Sequence, residues 1–174
     1  EFLPNAYTEI QSPEGPLVGH SPLLYEIDDD FVGNFNLKMV AGRSYSRDFP
    51  ADSANALVVN EAAARLFGYA NPADIVGKRF SQWGREGRVV GVVKDFNFRS
   101  LHLAIEPLAL RYADRDVYGR LSLHVQSNNM QATIAQLKKV WDNVAPQRPF
   151  IYSFLDESFN RQYQADVNFG GLFT

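Results

Sequence analysis

The sequence predicts an α+β fold, and three observations predict it. Short apolar runs bounded by turn formers recur through the first two thirds of the chain. The run Val89-Val90-Gly91-Val92-Val93 is apolar at every position but its glycine, as a strand buried on both faces requires. The last third reads as strand, crossover helix and strand, a βαβ unit whose connection is right-handed in nearly all known cases. With 174 residues, 45% of them apolar and 13% aromatic, the chain can build a real core. That length suits one domain, and equally one that divides into two lobes sharing a hinge.

Each element has a local reason. The first sixteen residues hold Pro4, Pro13, Gly15 and Pro16 among polar neighbours and read as an irregular lead-in. Leu17 to Ile27 reads as one or two short strands interrupted at Pro22. Asp28, Asp29 and Asp30 precede a short helix in which Phe31 and Phe35 share a face. Leu37 to Ala41 reads as a strand ending at Gly42 and Arg43. Leu57 to Val59 reads as a buried strand, after which Asn60 caps an Ala-rich helix that stops at Gly68. Lys78 to Gln82 and Arg88 to Lys94 flank a connection from Trp83 to Gly87, and Gly91 marks a close backbone approach. Leu121, Leu123 and Val125 alternate with Arg120, Ser122, His124 and Gln126, the period of a half-buried strand. Met130, Ile134, Leu137, Trp141 and Val144 then form an apolar helical stripe ended by Pro146, which places Trp141 in a core. Phe150 to Leu155 reads as the second strand, and Asp156 caps a last helix bearing Phe159, Tyr163 and Val167.

Composition excludes several functions. Seventeen basic against twenty acidic residues give a net charge of −3, with no broad basic surface for nucleic acid. The absence of cysteine removes disulfides, thiolate metal sites and cysteine nucleophiles. No Gly-x-x-x-x-Gly-Lys-Ser/Thr loop, Gly-x-Ser-x-Gly elbow or His-Glu-x-x-His helix is present. His20, His102 and His124 are too widely spaced to read as a zinc set. The triple Asp could bind calcium, but it lacks the alternating acids, glycine and distal Glu of an EF-hand loop. Asp95 with Glu106, or Asp156 with Glu157, could pair for acid catalysis only if the fold brings them together. No catalytic, cofactor-binding or metal residue is therefore expected, and no cofactor. No run of about 20 apolar residues occurs. The ends, without an initiator Met and with apolar character rising at Phe169 to Thr174, read like those of an excised loop.

Four segments together carry a resemblance: Val40 to Phe49 (VAGRSYSRDF), Val59 to Ala64 (VNEAAA), Val90 to His102 (VGVVKDFNFRSLH) and Phe154 to Tyr163 (FLDESFNRQY). With Gly77-Lys78 between them, in this order, they resemble the periplasmic core domain of MacB/FtsX-type ABC-transporter permeases, especially the duplicated permeases of Bacteroidetes. The resemblance implies a two-lobed domain: a mixed sabre-like lobe over residues 17–112 and a βαβ porter-like lobe over 113–155, the latter incomplete. Residues 156–174 would form a helix leading toward a membrane span. It further implies a non-catalytic segment in the periplasm, attached to the inner membrane of a Gram-negative bacterium, that couples ATP-driven motion of membrane helices to export or to partner proteins. The implied partners are a cytoplasmic ATPase subunit and a second permease copy or internal duplicate, with a periplasmic adaptor also allowed. The lobes are expected to shift relative to each other.

Two other classes remain at this point. A soluble envelope protein would bind a small ligand between lobes, and a hydrolase would need two carboxylates about 5 to 9 Å apart in a cleft. The missing phosphate loop yields a direct prediction. Titration calorimetry of the isolated chain with Mg-ATP is expected to give no saturable heat, whereas a saturable isotherm would contradict the reading.

Overall fold

A computed structural model describes residues 3–99, 103–113, 119 and 121–155. The chain divides into two compact units, residues 1–123 and 124–174. The first is built on a mixed eight-stranded sheet: β1 Thr8–Gln11, β2 Leu17–His20, β3 Leu23–Ile27, β4 Met39–Gly42, β5 Ala56–Asn60, β6 Arg79–Gln82, β7 Arg85–Val93 and β8 Leu108–Tyr112. Among these lie the short helices α1 Phe31–Asn34, α2 Asp52–Asn55 and α3 Glu61–Leu66, and a 3-10 turn Pro72–Ile75. The order is β2-β1-β6-β7-β5-β8-β3, with β4 added on β7. The pairs β3/β8 and β5/β7 are parallel, and the others antiparallel.

The lead-in expected over residues 1–16 is corrected here. One antiparallel register runs from Gln11 opposite Leu17, through Thr8 opposite His20, to Asn5 opposite Leu23. Ala6 N–H donates to the Pro22 carbonyl (3.0 Å) and Leu24 N–H to that of Pro4 (2.9 Å). Residues 4–11 thus form one arm of a hairpin, and β2 with β3 forms the other, bent at Pro22. Because β1 also pairs with β6 and β3 with β8, this hairpin closes the sheet into a circuit of bonded strands. The prolines suggested irregular chain, but Pro4 contributes only its carbonyl, which needs no N–H.

Alternation then sorts the core. Ala6, Ile10, Leu24, Leu57, Val59, Phe80, Val89 and Ala109 pack with Ala63, Ala64 and Phe67 from α3 on one face. Leu23, Ile27, Ala56, Val58, Leu108 and Leu110 pack with Val32 and Tyr45 on the other. Every residue of β5 is buried, which is why Ala-Leu-Val-Val reads as a continuous apolar run instead of an alternating one.

The nine-residue β7 carries two partners on one edge: β6 along Arg85–Arg88 and β4 along Gly91–Val93. Gly91 lies where β4 leaves the sheet, and a Cβ there would stand 2.1 Å from the Arg43 carbonyl oxygen. The expected close approach is present. The β6–β7 connection is tighter than the five residues expected: Gln82 pairs with Arg85, leaving only Trp83 and Gly84 in the turn. Their φ values of +48° and +79° define a primed turn, whose twist suits the flanking strands.

The second unit contains α4, Met130–Val144, capped by the Asn129 side chain accepting from Ala132 N–H at 3.1 Å. The two strands expected to flank it do not form. Leu121–Gln126 and Phe150–Phe154 carry no ladder, and Leu121, Leu123, Ile151 and Tyr152 are exposed. Two parallel strands with one helix cannot cover both faces of a sheet, and no other strand lies among the described residues of this unit. Trp141 is half-buried, not core. Its ring tilts against Phe150 at 6.2 Å and its Nε1–H donates to the Arg148 carbonyl at 2.9 Å. The helix expected from Asp156 lies outside the described residues. No helix among those described is long and apolar enough to cross a membrane.

The glycines supply a paired test. Gly91→Ala places a methyl group against backbone and is expected to cost at least about 1–3 kcal/mol. Gly33→Ala, in α1 with open space around it, is expected to be neutral or to stabilise by up to about 1 kcal/mol. Urea unfolding midpoints of the two variants check the contrast.

Candidate functional site

Three of the four segments that carry the resemblance meet around β5, β7 and the start of α3. Asn60 ends β5 fully buried. Its Oδ1 accepts from Ala63 N–H, the N-cap bond of α3, and from Leu108 N–H at the start of β8, both at 2.9 Å. Its Nδ2 donates to the Glu106 carbonyl at 2.9 Å. Beside it, Asp95 Oδ1 accepts from Ala62 N–H at 2.8 Å, while Glu61 Oε2 accepts from Asp95 N–H at 2.9 Å. This reciprocal pairing follows capping-box logic, but with an acid from a distant loop supplying one half. Arg65 closes the cluster on the second Asp95 oxygen.

The segment from Val40 is tied to the same strand. Gly42 has φ +67°, and a Cβ there would stand 2.2 Å from the Val90 carbonyl oxygen. Arg43 N–H donates to that oxygen at 3.0 Å. The Arg43 guanidinium takes both carboxylate oxygens of Asp52 and stacks 3.9 Å above the Phe49 ring. Tyr45, buried, reaches the carbonyls of Ala56 (3.1 Å) and Leu110 (3.0 Å) with its one hydroxyl, and burial pushes its pKa far up. Tyr112 packs edge-on against it at 5.3 Å.

The triple Asp is spent on the fold. Asp28 Oδ1 accepts from Asp30 N–H at 3.1 Å. Asp29 accepts from the Tyr112 hydroxyl and from Arg47 Nε (2.6 Å), and Arg47 also bonds Asp30 at 3.1 Å. The Tyr112 bond, followed by Arg47, holds the Asp29 pKa below its ordinary 3.8 against the opposing effect of burial. A cation already occupies this cluster, and it belongs to the protein.

The partners of the remaining candidates are separate, and none of them ties one candidate to another. Asp95 pairs with Arg65 and Glu106 with Arg99 (2.7 Å), so each acid has its own guanidinium. His20 stands edge-on to Phe67 at 5.2 Å, and His124 is exposed. His102, Asp156, Glu157 and most of the fourth segment lie outside the described residues. Among those described, no group of three His, Asp or Glu side chains could hold a metal ion. Trp83 is 55% exposed at its turn, with the Arg111 guanidinium 5.4 Å from its ring.

Sequence reasoning found the Asn60 cap but missed its bonds to β8, the partnership of Asp95 with α3, and the Tyr45 hydroxyl. The signal for Asp95 was an acid directly after a buried strand, a position where a side chain can reach a neighbouring helix start.

No family model matches the chain, and no curated protein sequence does. Solved structures do. The periplasmic region of MacB from Actinobacillus actinomycetemcomitans is 17% identical and superposes with a TM-score of 0.60, covering 92% of this chain and 74% of that one. The extracellular domain of the noncanonic ABC-type transporter YknZ from Gram-positive bacteria is 12% identical, with a TM-score of 0.53, covering 84% of this chain and 76% of that one. The fold class is thus that of extracytoplasmic domains of ABC-type transporters. Within it, the chain has the MacB-like periplasmic domain fold, α+β with one mixed sheet and few helices.

Asn60→Ala is expected to cost about 2–4 kcal/mol: about 1 for the lost cap and about 1–3 for a buried Leu108 N–H left without a partner. Urea unfolding of the purified chain measures it. A loss under about 0.5 kcal/mol would show that the junction relaxes around the missing side chain.

Proposed function

We propose that the chain is the extracytoplasmic domain of an ABC-transporter permease, and that it passes ATP-driven motion of the membrane helices to exported substrate or partner proteins while performing no chemistry itself. The observation that carries this reading is the fold shared with the MacB periplasmic region across 92% of the chain. A second point supports it: Asn60, Glu61, Asp95, Arg43 and Asp52 spend their polar groups joining strands and helix. A sheet locked by such bonds suits a body that transmits displacement without deforming.

In this reading the sabre-like lobe spans residues 17–112, joined in the same sheet by residues 4–11, and the porter-like lobe spans 113–155. Residues 156–174 lead toward a membrane span. The parent protein sits in the inner membrane of a Gram-negative bacterium with this segment in the periplasm. Its partners are a cytoplasmic ATPase and a second permease copy or internal duplicate, with a periplasmic adaptor as a third.

The chain contains no cysteine, so a single exposed label is easily placed. Ala70→Cys in an otherwise cysteine-free full-length protein is expected to react with a membrane-impermeant maleimide while the inner membrane is intact. Reaction only after that membrane is breached would overturn the location. In liposomes holding the full permease and its ATPase, replacing residues 1–155 by a flexible linker is expected to change ATP turnover or abolish export. Both unchanged would overturn the coupling role.

A further inference from the structure

The strand containing β2 has one open side. The Ala6–Pro22 and Leu24–Pro4 bonds show that the even-numbered residues of this strand turn their backbone groups toward residues 4–11. Leu17, Gly19 and Ser21 therefore turn theirs the other way. From Leu23 onward that outer side is occupied by β8, beginning with Leu23 N–H on the Pro107 carbonyl at 2.9 Å. From Leu17 to Ser21 it has no backbone partner among the described residues. Natural sheet edges are usually blunted by lysine, a bulge or an internal proline. This one reads Leu-Val-Gly-His-Ser, with Pro16 and Pro22 standing only at its two ends.

The side chains beside the edge specify what would fit it. Gly19 offers no side chain, and the Tyr7 ring lies across the space instead, so near that a Cβ on Gly19 would stand 2.2 Å from its hydroxyl oxygen. That hydroxyl donates to Glu9 Oε1 at 3.5 Å. Glu9, half-buried and directly opposite Gly19 in the ladder, has no cation beside it among the described residues. Tyr7 is 55% exposed and Leu17 43%. A residue added opposite Gly19 on a new strand would meet a tyrosine face together with a carboxylate that has no ion pair among the described residues, a combination that favours arginine through cation–π and ionic attraction. Its neighbours two positions away on the same face would lie beside Leu17 and Ser21.

We propose that β2 is a strand-addition site for an extended segment of a partner protein, with main-chain bonds to Leu17, Gly19 and Ser21 and an arginine of that segment seated against Tyr7 and Glu9. The site is independent of the transporter reading.

The probe is an acetylated, amidated Val-Thr-Arg-Thr-Val peptide, whose near-symmetric pattern presents the arginine in either strand direction, titrated at millimolar concentration into the isotope-labelled 174-residue chain. Saturable shifts and slowed hydrogen exchange are expected at the Leu17, Gly19 and Ser21 amides. Glu9→Gln is expected to weaken binding about two- to fivefold, the range of an exposed ion pair, and a norleucine-for-arginine peptide to be indifferent to that change. Shifts that map elsewhere, no saturation, or equal affinity for Glu9→Gln would overturn the proposal. Slow exchange at these amides without peptide, with dimers in sedimentation, would overturn it in favour of a second copy of the chain.

Discussion

The carboxamide of Asn60 is the interaction on which the first unit depends. Its one oxygen serves two buried N–H groups, at the third residue of α3 and at the first residue of β8, and its nitrogen serves the Glu106 carbonyl just before β8. The adjoining β5 and α3 are thereby fixed to β8, 48 residues on from Asn60, at one buried point. Aspartate would supply the acceptor and lose the donor, and leucine would fill the volume and orphan three backbone groups. Since β5 lies between β7 and β8, the position of this one side chain sets the register at the centre of the sheet.

A second set of constraints is steric and lies one strand away. Gly42 and Gly91 let β4 and the chain after it cross β7 at backbone distance, and the hydrogen bond from Arg43 N–H to Val90 depends on that approach. The Arg43–Asp52 pair and the Phe49 ring then hold the emerging loop, and Tyr45 returns from it to bond β5 and β8. The polar groups of this region act as fasteners between elements whose apolar faces are already matched.

What was legible in the sequence follows from the range of each interaction. Asn60 before Glu-Ala-Ala-Ala is a local signal, since a cap and its N–H groups lie within three residues, and the structure contains it. The burial of β5 and the glycine in β7 were also local patterns. The closing hairpin was not legible, because Pro4, Pro13 and Pro16 suggest irregular chain while the register from Gln11 opposite Leu17 to Asn5 opposite Leu23 appears only once both arms are paired. The strands flanking α4 erred in the opposite direction. Alternation at Leu121, Leu123 and Val125 states a preference for a half-buried strand, but a strand exists only where a neighbour accepts its backbone bonds. Trp141 failed for the same reason: a helical stripe names the face that would be buried, not how completely it is.

The same distinction explains how a fold can be recognisable at 12–17% identity. Core positions such as Leu57, Val59, Val89 and Leu108 require only apolar volume, which many residue combinations supply, so they carry little that identifies one fold among others. The segments that carry the resemblance hold residues whose particular groups are in use: a glycine at φ +67°, a glycine against a carbonyl, an amide with two acceptor bonds and a donor bond, and an acid whose oxygens meet a helix start and an arginine. Short motifs of this kind resemble catalytic signatures in sequence because both depend on particular functional groups at particular places. Here the groups are consumed by the backbone they fasten, and the proposed partner site, the edge of β2 with Tyr7 and Glu9 beside it, uses none of them.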